Sequence, residues 1–217
     1  MPPIFDIQLP TKRFRDLTGF VFVGGASQRM GQPKASLLMD GEKMLERQIR
    51  LVRSVARRVV VVGAPSAYLD DFDVPVIPDA VAGCGPLAGI YTALLESRTE
   101  FNLILGCDLP FVGRRMLSYL AARAMAAGSD ATVPHSRDGL EPLCAVYRRR
   151  ALYAVRTRLM LGENKISGFF SMVHYNVIQW RELADAGFRP SAFDNMNTPE
   201  EYDYARRRIE ASRVKSC

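Results

Sequence analysis

Val21-Phe-Val-Gly-Gly-Ala-Ser-Gln-Arg-Met-Gly-Gln-Pro-Lys34 opens as an apolar run and passes directly into glycines, a hydroxyl and two cations. Phe20 to Val23 read as a buried strand. Gly24, Gly25 and Gly31 permit a tight turn that aims backbone N–H groups at an anion, and Ser27, Arg29 and Lys34 add a hydroxyl and two positive charges. A parallel strand that delivers a phosphate-binding loop is built this way. Glycines alone would be satisfied by an ordinary surface turn; two cations at fixed offsets favour the anion. The spacing excludes a Walker A loop, because five residues separate Gly25 from Gly31 and Lys34 does not follow the last glycine. Adjacent Gly24 and Gly25 likewise exclude the G-x-G-x-x-G dinucleotide fingerprint.

Outward from this loop, strand-like and helix-like segments alternate. Met44 to Ala56 carries Leu45, Ile49, Val52 and Ala56 at helical spacing, and Val59 to Val62 follows as a strand. Val74 to Ile77 and Phe101 to Leu105 predict further strands. Leu87, Ile90, Tyr91, Leu94 and Leu95 mark one helix face, and Met116 to Ala127 a second helix. This rhythm predicts an α/β fold, a mainly parallel sheet between helical layers. Ala131 to Pro134 and Leu143 to Tyr147 flank a polar turn at Ser136 to Gly139, which predicts a small antiparallel interruption. A basic helix from Arg148 to Leu161, a strand from Val173 to Ile178 and a helix from Glu200 to Arg213 complete the chain. Thr198, Pro199 and Glu201 supply the start signal of that last helix, a capping box with proline in the first turn.

The chain has 217 residues, 48% of them hydrophobic, enough for one good core. A formal net charge of +6 favours an acidic partner: nucleotide, nucleic acid or anionic lipid. Runs such as Arg148 to Arg150 and Arg206 to Arg208 read as solvated helix faces, so charge alone does not select nucleic acid. Cys84, Cys107, Cys144 and Cys217 form no C-x-x-C pair, which argues against a zinc knuckle or a disulfide framework and for a reducing cytoplasm. Cys107 and Cys144 read as small core residues. Met1 to Thr18 is interrupted by charges and reads as neither a signal peptide nor a membrane anchor.

In an open parallel sheet, ligands bind beyond the carboxyl ends of the strands. Besides the glycine loop, three segments fall there: Asp79 with Gly83 to Gly89, then Gly106-Cys-Asp-Leu-Pro110, then Asn195-Met-Asn-Thr-Pro199. Asp108, at the end of a buried strand, is the best candidate to hold Mg²⁺, a cation that takes hard oxygens and shares them with phosphates. Asn197 reads either as a second oxygen ligand or as an ordinary residue ahead of a helix cap. Asp79 reads as a nucleotide acceptor or as a turn former.

These pieces together resemble the MobA family of molybdenum cofactor guanylyltransferases. Phe22-Val-Gly-Gly-Ala-Ser-Gln-Arg-Met-Gly-Gln-Pro-Lys34 is similar to the family's L-A-G-G-x-S-x-R-M-G-x-x-K signature. Pro78-Asp79, Gly85-Pro-Leu-Ala-Gly-Ile90, Cys107-Asp-Leu-Pro110, Glu141-Pro-Leu-Cys-Ala-Val-Tyr147 and Asn195-Met-Asn-Thr-Pro-Glu-Glu201 follow in order. The likeness covers Gly19 to Arg206. It implies a three-layer α/β/α, Rossmann-like sheet of the nucleotide-diphospho-sugar transferase (GT-A) type, with one domain from residue 19 to 217 behind an extension from residue 1 to 18 that is disordered or lies along a neighbour.

The resemblance also implies a reaction. A molybdopterin phosphate attacks the α-phosphorus of GTP with Mg²⁺ present and expels pyrophosphate, giving the guanine dinucleotide form of the cofactor. Phe22, Val23, Gly24, Gly25 and Ser27 would line the nucleotide, Arg29 and Lys34 its phosphates, Asp79 and Asp108 the nucleotide and metal, with Asn197 as a further metal ligand. Arg29, Lys34 and Asp108 would carry catalysis. The acceptor phosphate is already ionised near neutral pH, so no histidine or thiol is required, and His135 and His174 read as structural. Transient contacts with molybdenum cofactor biosynthesis proteins or molybdoenzyme chaperones are implied as well; nucleic acid and membrane are not.

Two residues depart from the pattern. Val23 replaces the alanine usual in the signature and is expected to crowd the base side. Gly63 stands where some members carry a nucleotide-binding asparagine. The likeness is weak around Gly162 to Ile166, where Lys165 is a candidate to reach an acceptor phosphate. Three other readings stay open: a cytidylyltransferase acting on the same pterin, a sugar-phosphate nucleotidyltransferase, and a catalytically silent nucleotide-binding regulator. The doubled Gly24-Gly25 and the Gly85 to Gly89 segment favour guanine.

Overall fold

The computed structural model describes residues 13–24, 33–64, 69, 72–81 and 83–214, with side chains as far as residue 211. Nine strands and seven α-helices are found among them. The central strand, β1 (Phe14–Phe22), is flanked on one side by β4 (Ala56–Val62) and β5 (Val76–Ile77) and on the other by β6 (Phe101–Gly106), β8 (Cys144–Arg148), β7 (Ala131–Pro134) and β9 (Tyr175–Ile178). All neighbouring pairs are parallel except those made by β8, which runs against both β6 and β7. The expected mainly parallel sheet with a small antiparallel interruption is therefore present, and the interruption consists of the single reversed strand β8.

β1 begins earlier than its apolar pattern predicts. Phe14 to Thr18, expected to belong to an extension, form the first half of the central strand, with Leu17 and Thr18 0% and 3% exposed. The polar pair Arg15 and Asp16 hides this in the sequence, because both sit at the solvated amino end, before the strand enters the core.

Helices cover both faces. On one, α1 (Met44–Arg53) and α3 (Arg114–Ala127) pack over Leu17, Val21, Val61 and Leu105, joined by Leu183 of α6 (Trp180–Asp185) and Ala205 of α7 (Pro199–Val214). On the other, α2 (Gly85–Glu96), α4 (Leu152–Met160) and α5 (Ile166–Phe170) cover Phe20, Val60, Val62 and Ile104. α1 buries Met44, Leu45, Ile49 and Val52, each contributing about 1.5–3 kcal/mol by leaving water. Gly19 sets how closely α1 approaches: a Cβ there would lie 2.0 Å from Val52 Cγ1.

Between Lys34 and α1 the chain makes a hairpin of β2 (Leu38–Met39) and β3 (Glu42–Lys43). Asp40 and Gly41, both with positive φ, form its turn. Its consequence is positional, since it brings the chain from Lys34 onto the sheet face where α1 begins.

Candidate active site

The carboxyl ends of β1, β4 and β6 form one continuous rim. The Val23 N–H donates to the Val62 carbonyl at 2.9 Å, the Gly63 N–H to Ile77 at 2.9 Å, and the Cys107 N–H to Phe22 at 3.0 Å. Gly24, the last described residue before the glycine-rich segment, is exposed with open space where a Cβ would stand. Gly25, Ser27 and Arg29 lie outside the described residues.

Lys34 opens a 3-10 turn, Lys34–Ser36, directly after the loop. Its ammonium donates to Asn197 Oδ1 at 2.5 Å and lies 3.6 Å from Asp108 Oδ2. Three segments far apart in sequence thus meet at one cation. The pair with Asp108 is partly solvated, at 17% and 29% side-chain exposure, so it contributes about 0–1 kcal/mol to stability. The arrangement is better explained by what it can bind than by what it stabilises.

Asp108 is held by its surroundings. Gly106 donates its N–H to Leu143 at 2.7 Å, and a Cβ at Gly106 would lie 2.7 Å from Asp108 Oδ1. The absent side chain is what lets the carboxylate fold back over the strand end. The Asp108 carbonyl accepts the Met196 N–H at 3.0 Å, and the next carbonyl, Leu109, accepts the amide of buried Gln48 at 2.8 Å. α1 and the Asn195–Pro199 segment therefore grip the same loop.

Asn197 stands ahead of a helix cap, the second of its two readings. Its N–H and that of Thr198 donate to Glu201 Oε2 at 2.6 and 3.1 Å, and the Glu201 N–H returns to Thr198 Oγ1 at 3.2 Å. This is the expected capping box at the start of α7. Its main chain belongs to the cap, and its side chain is left to face Lys34.

The remaining expected site residues are placed differently. The Phe22 ring packs on α2, where a Cβ at Gly89 would meet it at 2.7 Å, so its side chain supports the rim from below. Val23 is 7% exposed and belongs to the core. A Cβ at Gly63 would fall 2.1 Å from the Val23 carbonyl oxygen and 2.5 Å from Val23 Cγ2. The two departures from the motif are therefore one packing solution, and the expected crowding by Val23 is directed into the core. Asp79 stands exposed after β5; partial desolvation raises its carboxyl above the ordinary range, and no contact joins it to Lys34 among the described residues.

Glu141 opens one of the pieces that carry the resemblance, but no role at the site is read for it from the sequence. It precedes β8, the reversed strand, and so arrives at the same rim from the opposite direction. Burial raises its carboxyl above the ordinary value; a hydrogen bond with Ser136 opposes this, while Asp138 and Asp108 add repulsion. Cys107 and Cys144 are buried, and burial pushes both thiols far up, so they stay protonated near neutral pH and act as core residues. No cluster of three or more His, Cys, Asp or Glu suited to a metal occurs among the described residues. One carboxylate and one amide oxygen, at Asp108 and Asn197, fit Mg²⁺ that arrives with a nucleotide supplying the other oxygens.

The profile of the MobA-like NTP transferase domain matches residues 19–177. The chain belongs to this family. A probable molybdenum cofactor guanylyltransferase of Pelotomaculum thermopropionicum is 33% identical over 91% of this chain and 95% of its own length. A molybdenum cofactor guanylyltransferase of Desulfosudis oleivorans is 31% identical over 91% and 98%. Among solved structures, molybdopterin-guanine dinucleotide biosynthesis protein A of Archaeoglobus fulgidus superposes with a TM-score of 0.78 at 25% identity, covering 89% of this chain and 99% of that one. The 2-C-methyl-D-erythritol 4-phosphate cytidylyltransferase of Thermus thermophilus, at 15% identity and a TM-score of 0.65 over 90% and 99%, shares the fold. As a MobA-like enzyme, the chain is a nucleotidyltransferase of molybdenum cofactor biosynthesis, and its Lys34 cluster lies on the rim where an α/β sheet binds its ligand.

Proposed function

We propose that the protein transfers a guanylyl group from GTP to the terminal phosphate of molybdopterin, giving the guanine dinucleotide cofactor and pyrophosphate. The observation that carries this reading is the meeting of Lys34, Asp108 and Asn197 at the strand ends. A cation poised between a carboxylate and an amide oxygen is suited to a polyanion that takes over the cation and leaves both oxygens for a metal.

In this mechanism an oxygen of the acceptor phosphate forms a bond to the α-phosphorus, and the bond from that phosphorus to the bridging oxygen of the β-phosphate breaks. The electron pair leaves with pyrophosphate. Such chemistry needs alignment and charge neutralisation more than covalent help. Lys34 turns from Asn197 to the phosphates and neutralises charge growing on the leaving group. Arg29 is assigned the same work from the neighbouring loop, with Gly25 and Ser27 offering a backbone N–H and a hydroxyl. Gly24 gives the nucleotide close access to the backbone, and Asp79 accepts hydrogen bonds from it. Asp108 and Asn197 would hold Mg²⁺, which supplies charge neutralisation on the triphosphate when bound.

No described helix is long and apolar enough to cross a membrane. The free thiols of Cys84, Cys107 and Cys144 support a cytoplasmic setting. The test is incubation with molybdopterin and either GTP or CTP while nucleotide incorporation is followed. Incorporation of GMP in preference to CMP is expected; faster use of CTP overturns the guanine assignment, and turnover of neither overturns the transfer itself.

A further inference from the structure

A cavity of about 320 Å³ opens between the start of α3, the segment that follows α6, and α7, and none of Lys34, Asp108 and Asn197 lines it. Its wall comes from Phe111 and Arg115 at the start of α3, from Phe188, Arg189 and Ser191 ahead of the Asn195–Pro199 segment, and from Arg208 of α7. Three guanidinium groups line it, and no carboxylate does. Phe111 lies three residues beyond Asp108 in the chain, and Asp194, beside Asn195, pairs with Arg208 at 3.7 Å.

The arginines are held in an orderly way. Arg115 lies over the Phe188 ring at 5.1 Å and donates to the Ala186 carbonyl at 2.6 Å. Gly187, with φ of 79°, makes the turn that allows this, and a Cβ there would come within 3.2 Å of Arg115 Nη1. Arg208 lies over the Phe111 ring at 4.8 Å and donates to Ser191 Oγ at 2.5 Å and to the Tyr204 hydroxyl at 2.7 Å. A guanidinium stacked on a ring is fixed by its face and still presents N–H groups along its edge. Arg189 is exposed, its carbonyl accepts the Ala192 N–H at 3.0 Å, and its side chain has no hydrogen bond or ion pair among the described residues. Asp194 offsets the charge of Arg208, while Arg115 and Arg189 line the cavity with no carboxylate partner among the described residues, a placement that favours an anion.

We propose that this cavity is a second oxyanion site, separate from the triphosphate loop, and that it takes a phosphate group with charge-assisted hydrogen bonds from Arg115 and Arg189. The rings and the Ser191 hydroxyl act as the frame. Two sources share that chemistry: free inorganic phosphate, and the phosphate end of the acceptor substrate. The second of these rests on the reading under Proposed function; the site itself does not.

The test is calorimetric titration of the full chain with inorganic phosphate, for the wild type, Lys34→Ala and Arg189→Gln. The Arg189 side chain is exposed and makes no hydrogen bond or ion pair among the described residues, so its replacement is expected to leave folding intact. One binding event is expected to survive Lys34→Ala with its Kd within about twofold, and to weaken about tenfold in Arg189→Gln, as loss of one charge-assisted hydrogen bond requires. Phosphate binding that disappears in Lys34→Ala, or that ignores Arg189→Gln, overturns the proposal. Phosphate inhibition of nucleotide transfer distinguishes the sources. Inhibition competitive with molybdopterin supports the site as that of the acceptor's phosphate, and inhibition competitive with neither substrate supports it as a site for the free anion. Inhibition competitive with GTP alone overturns it, since that places the ion in the triphosphate loop.

Discussion

The ammonium of Lys34 and the amide oxygen of Asn197 lie 2.5 Å apart although 163 residues separate them in the chain. Neither residue is held there by a regular secondary-structure ladder. Lys34 follows the phosphate loop, Asn197 precedes a helix, and the sheet between them supplies the alignment.

Lys34→Ala is expected to lower kcat for guanylyl transfer by about 10²–10³-fold, the range for loss of one preorganised electrostatic contact to developing charge. Its urea midpoint should stay near that of the wild type, because the ion pair it breaks is partly solvated. A variant with near-normal turnover would mean that the cation does not touch the phosphates.

Gly106→Ala separates catalysis from folding. The added methyl meets the Asp108 carboxylate at 2.7 Å and otherwise makes only ordinary contacts with Leu143 at 3.6 and 3.7 Å. Gly106 is not among the glycines with positive φ, so alanine brings no backbone strain and reduces unfolded-state entropy. Steady-state assays should show a loss of about a hundredfold, as displacement of a catalytic group by an ångström does, while the midpoint holds or rises. Full activity at saturating Mg²⁺ would remove Asp108 from the site.

Gly63→Ala should cost roughly 1–3 kcal/mol in chemical denaturation, as overpacking does. Pairing it with Val23→Ala should recover little of that, because the nearest atom to the new methyl is the Val23 carbonyl oxygen, at 2.1 Å, rather than the side chain. Complete rescue by the double variant would show that the side chain alone excludes larger residues.

For Glu141 the sign follows from burial. Its folded carboxyl is raised above the ordinary 4.5, so the folded state holds the proton more tightly than the unfolded state does. The penalty is absent below pH 4.5, grows as pH rises toward the folded value, and is fully present above it. The stability difference between Glu141→Gln and wild type should therefore increase with pH across that window, leaving the glutamine variant more stable at neutral pH. Urea titrations of both proteins between pH 4.5 and 8 check this, and a pH-independent difference would count against it.

The parts of the site that could be read in the sequence are those following the strand-then-loop rule. Lys34, Asp108 and the Asn195–Pro199 segment stand after apolar runs or before a clear helix start, so their placement at one edge follows from parallel topology. The place of Glu141 on the rim escaped, although its motif is part of the resemblance, because β8 is reversed: there, the residues before the strand occupy the rim. The β2–β3 hairpin escaped because two-residue strands carry no periodicity, although Asp40-Gly41 is itself a strong turn signal. The early start of β1 escaped because Arg15 and Asp16 are solvated at its outer end. The Val23 and Gly63 pairing is a contact between neighbouring strands, and no local pattern encodes which two positions will touch.

The capping box at Thr198 and Glu201 joins two equilibria. The glutamate that starts α7 also fixes the main chain of Asn197, so each time the first turn of that helix frays, the amide oxygen loses its alignment with Lys34. On the proposed assignment of Asn197 to the metal, the fraction of molecules ready to react is then bounded by the fraction with the helix start formed. A change at the far end of the chain that unwinds α7 would reach the assay as lost turnover with the sheet fully intact.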